Sequence, residues 1–363
     1  MPAEYRIDIR DTSGFKVAEV TDYNWVSYSK RIAQAGVAQF ELLGAHPLLG
    51  MLGLDYQVEV WRRNLDVGLA WYADFYGLYR GTELKNADGI DLATLTCPGQ
   101  MSLLARRSIN YYASTVNRSA FTAVQAETIA KTLVSYNAGE NALVSNGRFR
   151  NGVINGISIE TDLGRGSALD WACANVNLLQ SLADLSYIGG GDFDLVKTGP
   201  AAWEFRWYAG QLGADRHTTV LFSIALGNME APVYTYNRTD EKTVAVVGGS
   251  GTGSARPVVV AYGADYAASN DIEEFVNGSS FTTVNGLTAE GNRQLYASRA
   301  RQRFKFAALQ IPSTYYGLHY RMGDIVTAGY KSFSSSSEKI MGVTVAFSGQ
   351  DMQERVTLEV MNV

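Results

Sequence analysis

The stretch VVGGSGTGSARPVVV, residues 246–260, decides between two kinds of fold. Its four glycines suggest a phosphate-binding loop, in which backbone N–H groups at a helix start hold the anion. The spacing does not fit that motif. A P-loop that used Gly248 and Gly253 would need lysine at position 254, and a dinucleotide loop that used Gly249 and Gly251 would need glycine there. Position 254 is serine.

The residues on both sides of the glycines favour strands. Pro257 and the three valines after it disfavour a helix, because proline lacks an N–H and β-branched residues suit strands better. The segments TVAVVGG (243–249) and PVVVAYG (257–263) are therefore predicted to be two strands joined by a flexible glycine tip. We expect a β-hairpin here, and no nucleotide or other cofactor.

The composition is that of a globular protein and limits its class. The chain has 363 residues, of which 46% are apolar and 18% charged, and this length allows two or three domains. The 31 basic and 36 acidic residues give a net charge of −5, which argues against a dedicated nucleic-acid binder. Cys97 and Cys173 form no CxxC pair, so neither a disulfide framework nor a zinc site is indicated.

The N-terminus does not resemble a targeting segment. Its first residues, MPAEYRIDIRDTSG, carry alternating charges where a signal peptide would have an unbroken apolar run. No stretch of the chain approaches the apolar length of a membrane span. We therefore expect a protein that is made in the cytoplasm and has no membrane span.

Apolar residues alternate with polar ones near the N-terminus, which predicts antiparallel strands of a small sheet or barrel. The clearest examples are DYQVEVWRRN (55–64), DFYGLYRG (74–81) and GIDLATLTCPG (89–99). Strand patterns return later in AWEFRWYAG (202–210), TTVLFSIALGN (218–228), GDIVTAGY (323–330), KIMGVTVAF (339–347) and ERVTLEVMNV (354–363). The segment SFSSSSEK (332–339) is predicted to be a polar loop.

Three segments have the three-to-four-residue spacing of amphipathic helices. They are SAFTAVQAETIAKTLVSYN (119–137), SALDWACANVNLLQSLADLSY (167–187) and GLTAEGNRQLYASRARQRF (286–304). Ser119 or Thr122 is the expected N-cap of the first and Ser167 of the second, which the glycines at 189–191 should end.

The order of strands, helices, strands, helix and strands predicts an α+β fold rather than alternating βαβ units. The simplest division is a β-barrel or sandwich at 1–100, a mixed domain at 101–199, and a second β-barrel at 200–363. A helical insertion at about 264–310 interrupts the second barrel.

The histidines give no catalytic pattern. His46, His217 and His319 lie in different segments, without HExxH or HxH spacing, and the chain has no GxSxG nucleophile motif. We interpret His46 as a loop residue, His217 as a turn residue and His319 as a sheet or interface residue. No catalytic, cofactor-binding or metal-binding residue is predicted.

Carboxylates provide the alternative candidates. Asp192 and Asp194, in GGGDFDLVKTG, could share a strand face and bind a hard cation, or act in a glycan hydrolase. The other ligands of a calcium loop are missing, which favours a solvated turn. Glu273 and Glu274 are adjacent and would face opposite sides of a strand.

Aromatic residues line one face of a predicted strand. Trp203, Phe205 and Trp207 alternate in WEFRWYAG, which suits either a barrel core or a platform for stacking sugars. The core interpretation is favoured, although the spacing itself does not separate the two.

Several longer segments, taken in order, resemble the hub protein of tailed-bacteriophage tails, a family that includes the N-terminal part of tail-associated lysins. These segments are GVAQFELLGAHPLLGMLGLDYQVEVWRRN (36–64) followed by DFYGLYRG, GIDLATLTCPGQMSLLARRSINY (89–111), FSIALGNMEAPVYTYNRTDEKTVAVVGGSGTGSAR (222–256) and HYRMGDIVTAGY (319–330).

The resemblance implies two tail-tube-like β-barrels per subunit and a homotrimer that forms a ring of six barrels. Such a ring joins the hexameric tail tube to the trimeric tip, so the expected partners are the distal tail protein, tail tube, tape measure protein and tip or fibre proteins. Genome DNA would pass through the lumen without specific binding.

The implied role is that of a structural protein of the virion. Many relatives continue into a peptidoglycan hydrolase, whereas this chain ends at Val363 without such an extension, so we expect no lytic activity. The rival hypotheses are a peptidoglycan or glycan hydrolase that uses Asp192 and Asp194, and a carbohydrate-binding module that uses Trp203 and Trp207.

Overall fold

The structure of the chain is a computed structural model. It describes residues 3–110, 119–173, 175–279, 281, 283–331, 333–350 and 352–362, and within them the chain forms 22 strands and four α-helices. The fold is mostly β with segregated helices, in agreement with the α+β prediction.

Eight strands precede the first α-helix. They are β1 (Glu4–Arg10), β2 (Lys16–Val20), β3 (Trp25–Arg31), β4 (Val37–Leu43), β5 (Gln57–Asn64), β6 (Leu69–Leu78), β7 (Gly81–Ala87) and β8 (Ile90–Pro98). The three predicted N-terminal strands correspond to β5, β6 and β8.

Helices and strands alternate in the middle of the chain. The elements are α1 (Ser102–Ala105), β9 (Ser119–Gln125), α2 (Ala126–Asn137), β10 (Ile157–Ile159), β11 (Ala168–Cys173), α3 (Leu178–Gly189), β12 (Gly191–Gly199) and β13 (Ala202–Ala209). Helices α2 and α3 pack together over a core that also contains Phe193, Phe205 and Trp207.

The C-terminal part is again rich in strands. Its elements are β14 (Leu221–Ser223), β15 (Met229–Asn237), β16 (Val244–Gly248), β17 (Val258–Tyr262), β18 (Glu273–Asn277), α4 (Val284–Ala297), β19 (Arg301–Ala308), β20 (Ile325–Tyr330), β21 (Phe333–Ser348) and β22 (Gln353–Asn362).

One large sheet joins strands from both ends of the chain. Its ten strands follow the order β15-β19-β22-β21-β3-β4-β8-β7, with β20 on β21 and β14 on β20. Val345 of β21 lies opposite Tyr28 of β3, so this antiparallel pair connects the N-terminal and C-terminal regions. A four-stranded sheet, β2-β1-β5-β6, packs onto the same hydrophobic core.

The predicted antiparallel sheets are confirmed, but closed barrels are not observed. Each of the five sheets formed by the described residues is an open path of hydrogen-bonded strands. In the ten-stranded sheet, β7 and β15 are the two end strands of the main path.

Two predicted helices begin later than the sequence indicated. Residues 119–125 form β9, which pairs with β11, and α2 starts only at Ala126. Residue Asn177 rather than Ser167 caps α3, because its side chain accepts a hydrogen bond from the Gln180 N–H at 3.3 Å. Helix α3 ends at Gly189 and is capped by Gly190, in agreement with the predicted glycine stop.

Three other predictions need correction. The helix predicted over 286–304 ends at Ala297, because Arg301, Arg303 and Lys305 alternate with buried Phe304 and Phe306 in strand β19. Only 221–223 of the strand predicted over 218–228 is extended. The predicted polar loop at 332–339 overlaps the first half of β21, which pairs with β20.

The glycine-rich hairpin is confirmed and belongs to a small α/β module. Val246 lies opposite Val260 in the antiparallel pair β16–β17, and β18 adds a parallel strand on the other side. Helix α4 covers one face of this sheet, where Val247, Ala261 and Leu287 form a separate core. The predicted helical insertion at 264–310 thus contains β18, α4 and β19 rather than helices alone.

The four helices of the described chain lack the combination of length and apolar character that a bilayer span needs.

Candidate functional site

The glycine loop holds a cation instead of an anion. The Arg256 guanidinium donates hydrogen bonds to the carbonyl oxygens of Gly249 at 2.9 Å and Gly248 at 3.0 Å. It also donates to Oδ1 of Asn277 at 3.0 Å. A phosphate site needs N–H groups that point inward, whereas here two carbonyls do, so the polarity of this loop is opposite to that of a nucleotide-binding loop.

Each of the three histidines contacts its own turn, and Nε2 of His46 also lies 3.3 Å from Oδ1 of Asp22. The ring of His46 accepts a hydrogen bond at 3.1 Å from the backbone N–H two residues later, at the start of a 3-10 turn. Nδ1 of His217 lies 2.6 Å from Oδ1 of Asp215. Nδ1 of His319 accepts a hydrogen bond from the Tyr315 N–H at 2.9 Å. Each ring therefore stabilises its own turn.

Asp192 is held by a buried cation. Lys339 of β21 lies 2.8 and 2.7 Å from the two carboxylate oxygens of Asp192 in β12, and the Leu212 N–H donates to the same group at 2.7 Å. This ion pair links the middle sheet to the ten-stranded sheet. Asp194 makes different contacts: its Oδ1 accepts hydrogen bonds from the Gln100 side chain and from the Leu195 N–H, and burial raises its pKa.

Glu273 and Glu274 face opposite sides of β18, as the sequence predicted for a strand. Glu273 is exposed, whereas Glu274 is half-buried and accepts a hydrogen bond from the Ser298 hydroxyl at 3.3 Å. Among the described residues no group of three or more histidine, cysteine or acidic side chains is arranged to hold a metal ion.

The aromatic row lies inside the protein. Trp203, Phe205 and Trp207 are all buried in the core beneath α2 and α3. Sugar stacking requires an exposed ring face, so these three side chains do not form a carbohydrate platform. The core interpretation of this strand is confirmed.

A buried ion pair that was missed in the sequence connects distant strands. Arg62 of β5 is 0% exposed, and its Nε and Nη2 lie 2.6 and 2.9 Å from the carboxylate oxygens of Glu354 in β22. Its Nη1 donates to the Tyr316 carbonyl at 2.8 Å, and the Tyr5 hydroxyl donates to Glu354. The sequence contained a signal for this burial, because Arg62 lies on the same inward face of β5 as Val58 and Val60.

A second buried acid lies beside this pair. Asp74 of β6 accepts hydrogen bonds from the hydroxyls of Tyr28 at 2.5 Å and Tyr316 at 2.9 Å, and from Nζ of Lys30 at 2.6 Å. Burial alone would raise the pKa of Asp74, but Lys30 and the tyrosine hydroxyl outweigh it and lower the pKa. Both networks fix strands β3, β5 and β6 to the C-terminal region.

A third cluster supports the start of α2. Glu127 is buried and lies 2.7 Å from Nη2 of Arg165 and 2.6 Å from Nζ of Lys131. Burial alone would raise the pKa of Glu127, but hydrogen bonds from Arg165 and Lys131 lower it to about 2.

The end strands of the ten-stranded sheet are exposed. In β7 every residue after Gly81 is exposed, and the β7–β8 turn uses Asp88 at φ 51° and Gly89 at φ 83°, the signs required by a type I′ turn. Leu84 and Ile90 of this hairpin are 69% and 55% exposed. Free N–H and C=O groups on an edge strand are a template for pairing with another chain.

The sequence matches the siphovirus ReqiPepy6 Gp37-like protein family over residues 6–359. The chain belongs to this family. No curated protein sequence matches it.

Solved tail proteins share the fold of this family member. The 43 kDa tail protein of prophage MuSo2 from Shewanella oneidensis is 10% identical, with 99% of this chain and 98% of that chain covered and a TM-score of 0.60. A tail protein from Neisseria meningitidis MC58 is 11% identical, with 98% and 96% covered and a TM-score of 0.59. Prophage tail protein gp18 from Listeria monocytogenes EGD-e is 10% identical, with 98% and 94% covered and a TM-score of 0.52.

These comparisons confirm the predicted resemblance to the tail proteins of tailed phages. Each structural match extends over nearly the full length of both chains, so this family member shares its fold with these tail proteins over that length.

Proposed function

We propose that this protein is a structural hub subunit of a phage tail tip, a component of the virion. In this proposal three copies form a ring of pseudo-sixfold symmetry that joins the hexameric tail tube to the tip and lines the DNA channel. The observation that carries the proposal is the match to prophage tail proteins from one end of the chain to the other.

The two β regions, 1–100 and 200–363, would each supply one tube-like module, with 101–199 between them. Ring closure needs two different surfaces on each subunit, because a closed ring has heterologous interfaces. The end strands β7 and β15 supply such a pair, since they are different edges of one sheet. The partners would be the distal tail protein, tail tube, tape measure protein and tip or fibre proteins.

The lumen would carry DNA without binding it. Basic side chains bind DNA because they displace the counterions of its phosphates. A neutral or acidic surface does not displace them, so the DNA can pass along it without being bound. The net charge of −5 is compatible with this role.

We infer that the chain itself has no lytic activity. Lys339 neutralises Asp192, one of the two carboxylates that a hydrolase would use. A cell-wall turbidity assay tests this inference: wild-type protein should leave the walls intact, and lysis that is lost in Asp192→Asn would overturn it.

The assembly is tested by native mass spectrometry and light scattering over a range of protein concentrations. A trimer is expected, and electron microscopy of particles labelled at Val363 should place three labels at the tail tip. Label at another part of the virion, or six labels at each tip, would refute the hub role.

A further inference from the structure

Three arginines meet at the C-terminal end of α2. Arg148 is only 4% exposed and uses its guanidinium to hold the surrounding backbone. Its Nη1 donates to the Tyr136 carbonyl at 3.3 Å and to Oδ1 of Asn137, and its Nη2 donates to Oδ1 of Asn110 at 3.1 Å. Its Nε donates to the Arg150 carbonyl at 3.2 Å. All four acceptors are uncharged.

Arg107 reaches the same place from the segment after α1. Its Nε donates to the Gly152 carbonyl at 2.6 Å, and its Nη1 donates to the Arg106 carbonyl at 3.2 Å. Gly152 also touches Arg148, since a Cβ at this position would lie 2.8 Å from its Nη2. The two guanidinium groups therefore meet at one glycine, with Arg150 two residues before it.

The cluster carries positive charge that no described carboxylate neutralises. In the described part of the chain, Arg107, Arg148 and Arg150 form no ion pair, whereas the neighbouring Arg106 is paired with Asp55 at 2.7 and 2.8 Å. Burial and the charges of Arg150 and Arg106 lower the pKa of Arg107, and burial and the charges of Arg107 and Arg150 lower that of Arg148. Like charges thus repel one another here.

Donors remain free at this cluster. Nη2 of Arg107 and the whole guanidinium of exposed Arg150 have no acceptor among the described residues. A guanidinium presents its N–H groups as a planar fork that matches the oxygens of carboxylates and phosphates.

We propose that Arg107, Arg148 and Arg150 form a binding site for an oxyanion. Arg148 fixes the backbone of the site, while Arg107 and Arg150 donate to the anion. The anion is either a carboxylate presented by another protein chain or a phosphate group. Its binding removes the repulsion among the three arginines. This site is independent of the proposed hub role.

The experiment measures thermal unfolding of the whole chain in increasing inorganic phosphate, with chloride adjusted to keep the ionic strength constant. The melting temperature of the wild type should rise saturably. Arg150→Gln should weaken the apparent phosphate affinity at least tenfold. It should fold normally, because the Arg150 side chain makes no hydrogen bond to the described residues. Arg303→Gln, at a 60% exposed arginine of β19, is the matched control and should respond like the wild type.

A parallel titration with a tetraglutamate peptide distinguishes the two sources. A lower half-saturation concentration for the peptide would identify the anion as a protein carboxylate, and a lower one for phosphate would identify it as a phosphate group. Without anion, Arg150→Gln should melt at the same or a higher temperature than the wild type, since one repelling charge is gone. No saturable rise with either probe, or an equal loss in Arg303→Gln, would overturn the site.

Discussion

Replacing Arg62 by methionine tests whether one buried ion pair holds the two ends of the chain together. Arg62 is fully buried, and its partner Glu354 has a side chain that is 7% exposed. The substitution removes both contacts from Arg62 to the carboxylate, at 2.6 and 2.9 Å, and among the described residues leaves the Tyr5 hydroxyl as its hydrogen-bond donor. Because an uncompensated charge then remains in the interior, we expect the free energy of unfolding to fall by about 3–5 kcal/mol.

The assay is urea unfolding followed by tryptophan fluorescence. The double variant Arg62→Met/Glu354→Leu removes both charges, and we expect it to regain more than half of the lost stability, since replacing a whole buried pair by apolar groups is often neutral. The neighbouring Arg63→Met is the matched control, because Arg63 pairs at the surface with Glu4 and should cost about 1 kcal/mol or less. A loss of under about 1 kcal/mol in Arg62→Met, or a double variant as unstable as the sum of the single variants, would refute the reasoning.

Three further predictions concern acid stability, thiol reactivity and assembly. The pKa of Glu127 is lowered from 4.5 to about 2, so its contribution of about 3 kcal/mol should be present above pH 5 and disappear as the pH falls from 4.5 towards 2. The stability of Glu127→Gln, measured by urea unfolding, should then depend less on pH in this range; an unchanged slope contradicts the assignment. Burial raises the pKa of Cys173 to about 11 and raises that of buried Cys97, so iodoacetamide at pH 8 should alkylate neither in the native protein and both in urea. The double variant Leu84→Lys/Ile90→Lys should lower the trimer fraction in light scattering while leaving the circular dichroism and melting temperature unchanged, because these two side chains of the β7–β8 hairpin are 69% and 55% exposed; an intact trimer would exclude the hairpin from the interface.

Local sequence patterns were sufficient to predict an element where residues close in sequence are also close in space. The β16–β17 hairpin follows from its glycine tip and valine flanks, and the end of α3 follows from its run of glycines. The strand of Trp203, Phe205 and Trp207 has the predicted period of two, and its core position is the one favoured from the sequence.

The predicted helix boundaries were wrong where a strand pairs with a partner that is far away in the sequence. Residues 119–125 have a pattern compatible with a helix, but hydrogen bonds to β11 make them β9. The start of β19 carried a readable signal in the alternation of basic residues with Phe304 and Phe306. For the candidate sites, the sequence favoured a solvated turn for Asp192, which was wrong, because Asp192 is buried in strand β12. Only the tertiary structure brings Lys339 of β21 to it as a partner.

The sequence by itself determined the predominance of strands and the glycine hairpin, because these depend on composition and short-range periodicity. The resemblance to phage tail proteins came from the order of several longer segments. The tertiary structure alone decided that β3 pairs with β21, that Arg62 meets Glu354, and that Arg107 and Arg148 meet at Gly152 with no ion pair to a described acid. Strand pairing and the burial of charge depend on contacts between residues far apart in the chain, and no local pattern encodes which distant partner satisfies them.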